Sequence, residues 1–149
     1  MLRERSSLTL SLFMALASLS CGALSTMQQI QVATFEEMRD VERYQIKIAE
    51  KHFLNANYNV ALAEYEKFLT LYEESPGAPY AQLMWSHTMM KLKKPKSALR
   101  DGFQSVIDYW PKSHEATIAA YCMGDSYRTM GEVKSAQKAF RFLIREYPD

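Results

Sequence analysis

The feature that most constrains this chain is that one pattern is written three times. Ala61, Ala98 and Ala136 stand 37 and 38 residues apart. Four residues after these anchors come Tyr65, Gly102 and Phe140, and eleven after them Tyr72, Tyr109 and Tyr147. Twelve before them lie the small Ala49, Ser86 and Gly124, each preceded by a large apolar residue, Ile48, Trp85 or Met123. Self-similarity at such a period is the mark of a stacked repeat array, in which no unit buries its apolar face alone. Small residues at fixed places on successive helices let backbones approach closely while their large neighbours fill the next layer. The fold class read from this is all-α.

Each copy divides into two helices. In the third, the pattern predicts helices over 115–130 and 133–147, with Gly131 suited to the left-handed turn that ends a helix. "NANYN" and "KLKKPK" turn the chain in the other two copies, and the prolines of "ESPGAPYA" and "WPKSHE" stop the second helix of each pair. Met123-Gly124-x2-Tyr127, Ala136-x3-Phe140 and the closing Pro148 resemble the tetratricopeptide repeat. The second copy matches least well, with Gly102 where an aromatic is expected. The resemblance implies a right-handed solenoid of three tetratricopeptide-like hairpins over 42–149, divided at about 42–78, 79–116 and 117–149.

Ahead of the repeats, "MLRERSSLTLSLFMALASLSCGALS" has Arg3 and Arg5, an apolar run from Leu8 to Leu19, and then small residues. That is the three-part form of a secretory signal over 1–20. The apolar run is short for a membrane span, which takes about 20 residues, although an uncleaved anchor stays open because no charge stands between Ser6 and Phe35. "LASLSCG" resembles the lipobox of bacterial lipoproteins, which implies lipidation of Cys21 and a membrane anchor; an ordinary cut after Ser20 is the alternative. Residues 21–41 read as a tether or lead-in helix.

Charge argues against a nucleic-acid partner. The 18 basic and 17 acidic side chains become 16 and 16 once Arg3, Glu4 and Arg5 are set aside, so no basic excess advertises nucleic acid. Lysines 91, 93, 94 and 96 read as a solvated turn. "HEATI" begins like a zinc-protease helix, but Ile118 stands where the second histidine would share the metal. No glycine-rich phosphate loop, nucleophile elbow or paired-cysteine metal site is present in the sequence. The expectation is a protein that is not an enzyme, with no catalytic residues, no metal and no cofactor.

With the signal, the candidate lipid cysteine and the "SPGAPYAQLMW" link, residues 44–149 resemble the BamD-like outer-membrane assembly lipoproteins. That resemblance implies a non-catalytic protein–protein interaction scaffold on the periplasmic face of a bacterial membrane, the outer membrane in this family, acting in outer-membrane protein assembly. The alternatives are a soluble periplasmic adaptor for cell-wall or division factors and a self-associating structural module. In tetratricopeptide arrays the first helices of successive hairpins line a groove for a protein partner. By position that groove takes Arg43, Ile46, Glu50 and Phe53, then Tyr80, Leu83, His87 and Met90, then Ile118, Tyr121, Asp125 and Arg128. Ile46, Leu83 and Ile118 fit packing between helices equally well, and Tyr121, His87 and Arg128 are the better groove candidates. Aromatic, methionine and arginine side chains are enriched at protein interfaces. No capping helix follows Tyr147, so Phe140, Leu143 and Ile144 are expected to leave apolar surface there, for a partner, a second copy or further repeats of a longer chain.

Overall fold

A computed structural model of the chain describes residues 30–148, and all regular structure among them is helical, without strands. The signal segment and Cys21 lie outside the described residues. In chain order the elements are α1 (Val32–Glu37), α2 (Asp40–Leu54), α3 (Tyr58–Leu71), α4 (Ala78–Lys91), α5 (Pro95–Ser97), a π-helical turn (Ala98–Phe103), α6 (Gln104–Tyr109), α7 (His114–Thr129) and α8 (Val133–Glu146). The helices pack in pairs, α2 with α3, α4 with the π turn and α6, and α7 with α8. Each pair then leans on the next, through α3 on α4 and α6 on α7.

One turn geometry closes all three pairs. Asn57, Lys94 and Glu132 donate their backbone N–H to the carbonyls of His52, Met89 and Tyr127, at 2.9, 3.0 and 2.9 Å. The preceding Ala56, Lys93 and Gly131 donate to Phe53, Met90 and Arg128 at 3.0, 3.1 and 3.1 Å. This double bond to the helix end is the Schellman arrangement, and it requires a left-handed residue in the middle. The φ angles there are 57°, 60° and 77°. Glycine takes that conformation freely, whereas Ala56 and Lys93 take it at a cost of about 1–2 kcal/mol.

The second copy holds one residue more than the others, and the π turn absorbs it. The last helix cap of each pair falls at Tyr72, Trp110 and Tyr147, all with φ between −135° and −130°. Each of these residues donates its N–H to the carbonyl four back. Tyr72 and Tyr147 come fifteen residues after the first caps Asn57 and Glu132, but Trp110 comes sixteen after Lys94. The extra residue widens one turn, so that the Gln104 N–H bonds the Leu99 carbonyl five back. Counted from the far cap, Phe103 stands where Tyr65 and Phe140 stand, and it is buried. The second copy therefore keeps its aromatic, and the tyrosine expected at its end is Trp110; Tyr109 is 75% exposed. A regular helix would carry Phe103 about 100° away from the inward side. Burying such a ring contributes about 1.5–3 kcal/mol.

Gly102 then faces Ser86 at very short range. A β-carbon on Gly102 would lie 2.3 Å from the Ser86 hydroxyl oxygen and 3.2 Å from its Cα. In the third pair the sizes are reversed: a β-carbon on Gly124 would lie 2.6 Å from the Phe140 ring. The core divides into two clusters. One gathers Met38, Ile46, Ala49, Tyr65, Phe68, Tyr80 and Met84, the other Leu83, Leu99, Phe103, Val106, Ile118 and Ala119, so α4 contributes to both. Met38, expected in the lead-in, is buried, and the space above Gly77 is filled by its side chain. The lead-in is thus pinned to the first core cluster at its C-terminal end.

Gly102→Ala is expected to lower stability by about 1–3 kcal/mol in urea unfolding, the usual cost of overpacking. With Ser86→Gly already in place, the same change should cost much less. Equal cost in both backgrounds would contradict the Gly102–Ser86 contact.

Candidate interaction face

The residues assigned to a partner groove sit on α2, α4 and α7, the first helices of the three pairs. Two contacts tie these helices side by side. The Tyr80 hydroxyl on α4 donates to the Glu50 carboxylate on α2 at 2.5 Å. His87 Nε2 on α4 lies 4.0 Å from Cys122 Sγ on α7. Glu50 is half-buried, and Tyr80 is buried. Burial raises the Tyr80 hydroxyl pKa well above its ordinary value, with the Glu50 charge adding to the shift. A neutral Tyr80 is therefore a permanent donor to Glu50. Burial, again with Glu50, likewise raises Tyr65, whose hydroxyl has no hydrogen-bond partner among the described residues.

Four of the twelve expected groove residues present no surface. Ile46, Tyr80, Leu83 and Ile118 belong to the two core clusters. They occupy first-helix positions but point between helices, where apolar area is worth about 25 cal/mol per Å² removed from water. Phe53 and Met90 are half-buried, Phe53 edge-on to Tyr58 with ring centroids 5.6 Å apart and Met90 against the second cluster. Arg43 is held toward the lead-in: it pairs with Asp40, and its guanidinium lies 5.8 Å from the Phe35 ring centre.

The most open part of the face is on α7. Tyr121 is 40% exposed, and Asp125 and Arg128 follow on the same side, paired at 2.6 Å. Positions 121, 125 and 128 repeat at the spacing of one helix face. An exposed ion pair of this kind adds little stability, so both side chains are free to exchange each other for a partner's charges.

His87 is packed edge-on against Phe103, with ring centroids 5.2 Å apart. Burial pushes its pKa down to about 4, helped by the Lys91 charge. Burial also pushes the Cys122 thiol up to about 12, with Asp125 contributing. Near neutral pH this is a neutral imidazole beside a neutral thiol. An activated nucleophilic pair needs the reverse, a thiolate beside an imidazolium. Among the described residues, no group of three or more His, Cys, Asp or Glu could hold a metal ion.

The sequence reading did not anticipate a second concavity. A groove of about 360 Å³ runs between α6, α7 and α8, with Ile107, Met123, Tyr127 and Phe142 among its walls. It lies on the side of α7 away from Tyr121, since Met123 and Tyr127 are turned from the 121–125–128 line. The signal was present in the helical spacing, but only the packing of α8 gives it walls.

His87 makes stability depend on pH. Its folded pKa is below its unfolded value, so the unfolded chain takes up the proton first, and stability is complete above about pH 6.5 and is lost as pH falls toward 4. Unfolding free energies from urea titrations at about pH 7 and about pH 5 should differ by about 2 kcal/mol. His87→Leu should remove most of that difference. An undiminished pH dependence in the variant would contradict the half-buried, neutral imidazole.

Compared with known families and with curated proteins, the chain matches no family model and no curated protein.

Proposed function

We propose that this chain is a non-catalytic scaffold of the bacterial cell envelope, built as a solenoid of three tetratricopeptide-like hairpins. It holds a partner protein on the face made by α2, α4 and α7. The observation that carries this reading is the lateral linkage of those three helices through Glu50–Tyr80 and His87–Cys122. A linked row of first helices is what a groove needs, and it leaves Tyr121 and Arg128 exposed, with Glu50 and Asp125 half-buried. The three identical Schellman turns and the aromatic seven residues before each final cap support the tetratricopeptide-like assignment.

The groove is narrower than the sequence alone suggests, because Ile46, Tyr80, Leu83 and Ile118 support it from inside. Placement at the periplasmic face of the outer membrane, through lipidated Cys21, and a role in outer-membrane protein assembly follow from the resemblance to BamD-like lipoproteins. A self-associating module is the second reading, favoured by Val133 and Ile144 on α8, which are 63% and 71% exposed.

Photo-crosslinking in cells tests the proposal, with the reactive group at Tyr121 and a control at Lys67 on α3. Capture of an envelope protein from Tyr121 alone is expected. A captured barrel-assembly component would add the family role. Equal capture at both positions, or capture of the chain by itself, would contradict a partner-binding α2–α4–α7 face.

A further inference from the structure

The net charge of the chain hides a local separation of charge on its last helix. Lys134, Lys138, Arg141 and Arg145 on α8 follow at spacings of four, three and four, and all four are exposed. At about 100° per residue they fall within one narrow stripe, roughly 16 Å long at about 1.5 Å rise per residue. The only acidic residue of α8 is Glu146, at its end, and it pairs with Arg145 at 2.6 Å. Lys134, Lys138 and Arg141 have no ion-pair partner among the described residues. Elsewhere Arg39, Arg43, Lys67, Arg100 and Arg128 each lie against a carboxylate, while the lysines of other elements, such as Lys93, Lys94 and Lys96, are likewise unpaired among the described residues. What sets α8 apart is that its unpaired cations share one helix line. Three adjacent cations left unmatched on one line repel one another, and an anionic partner relieves that repulsion.

We propose that this stripe is a docking surface for the anionic phospholipid headgroups of a bilayer. Charge complementarity names the sign of the occupant, and shape selects a plane. The shallow depression beside the stripe is lined by Lys134, Gln137, Lys138, Arg141, Phe142 and Arg145, all from α8. Within that depression every wall comes from α8, although Lys138 and Phe142 also border the groove between α6, α7 and α8. Val133 and Ile144, which are also eleven positions apart, run along the helix next to the stripe and are exposed. A row of cations edged by exposed aliphatic side chains matches the headgroup and upper acyl levels of a bilayer at once. The surface is separate from the α2–α4–α7 face and does not depend on it.

Flotation of the full chain with vesicles tests this, comparing pure phosphatidylcholine with a phosphatidylcholine–phosphatidylglycerol mixture. The apolar N-terminal segment contributes to both, so the preference for anionic vesicles is the readout. A preference that weakens in high salt is expected. K134Q/K138Q/R141Q should reduce it by roughly 100-fold, at about fivefold per cation removed. K134R/K138R should preserve it, and K93Q/K94Q/K96Q, which removes the same charge from α5 and the turn before it, should leave it nearly intact. Equal binding to both vesicles, equal loss in the two glutamine variants, or recruitment of an acidic peptide by the stripe without any vesicle preference would overturn the proposal.

Discussion

The structure depends on how closely the two helices of each pair approach. At Gly124 there is no room for a β-carbon beneath Phe140, and at Gly102 none above Ser86. Each closest approach needs one very small residue. In the third pair the first helix supplies it and the second helix supplies the ring. In the second pair Ser86 and Gly102 are both small, and the ring moves one residue along to Phe103. The π turn makes that move possible without changing either cap, so the Schellman turn and the final cap keep the same geometry in all three pairs. Sequence spacing, helix register and core packing thus answer one steric demand.

Close packing also sets what the first helices can offer. Side chains that point between helices at Ile46, Leu83 and Ile118 are consumed by the core. Those one face further round, Tyr121, Asp125 and Arg128, remain at the surface. His87 falls between these cases: it is packed on Phe103 and held near Cys122, which makes it a neutral spacer between α4 and α7. The working face of the proposed scaffold is therefore weighted toward α7. The basic stripe lies on the following helix, α8, so the two surfaces flank the same pair.

Much of the fold could be read from the sequence because repetition multiplies weak signals. Gly131 alone indicates a helix end, and three anchors in phase indicate three pairs; the helices over 114–129 and 133–146 lie within one residue of those read from the pattern. The π turn escaped because Tyr109 happens to stand eleven residues after Ala98, so a fixed template is satisfied by the wrong aromatic. The turns at Ala56 and Lys93 were legible only in part, since neither residue favours positive φ and the strain is imposed by the fold. Among the groove positions, Ile46, Leu83 and Ile118 suited the core as well as the groove on sequence alone, and Tyr80 was assigned to the groove; the packing buries all four. A positional template names a helix face, but only the packed neighbours decide whether a side chain on its edge points outward or between helices.

The most direct test of the central claim, that the second pair is the same unit with one residue added, is to remove that residue. Deleting exposed Arg100 should let the π turn relax to regular helix with Phe103 still facing the core. The thermal midpoint should then stay within several degrees of the parent, a shift corresponding to about 1–2 kcal/mol for a domain of this size. The matched deletion of Lys67, in the regular α3, should throw Phe68 and the cap at Tyr72 out of register and abolish cooperative unfolding. Equal damage from the two deletions would contradict the account.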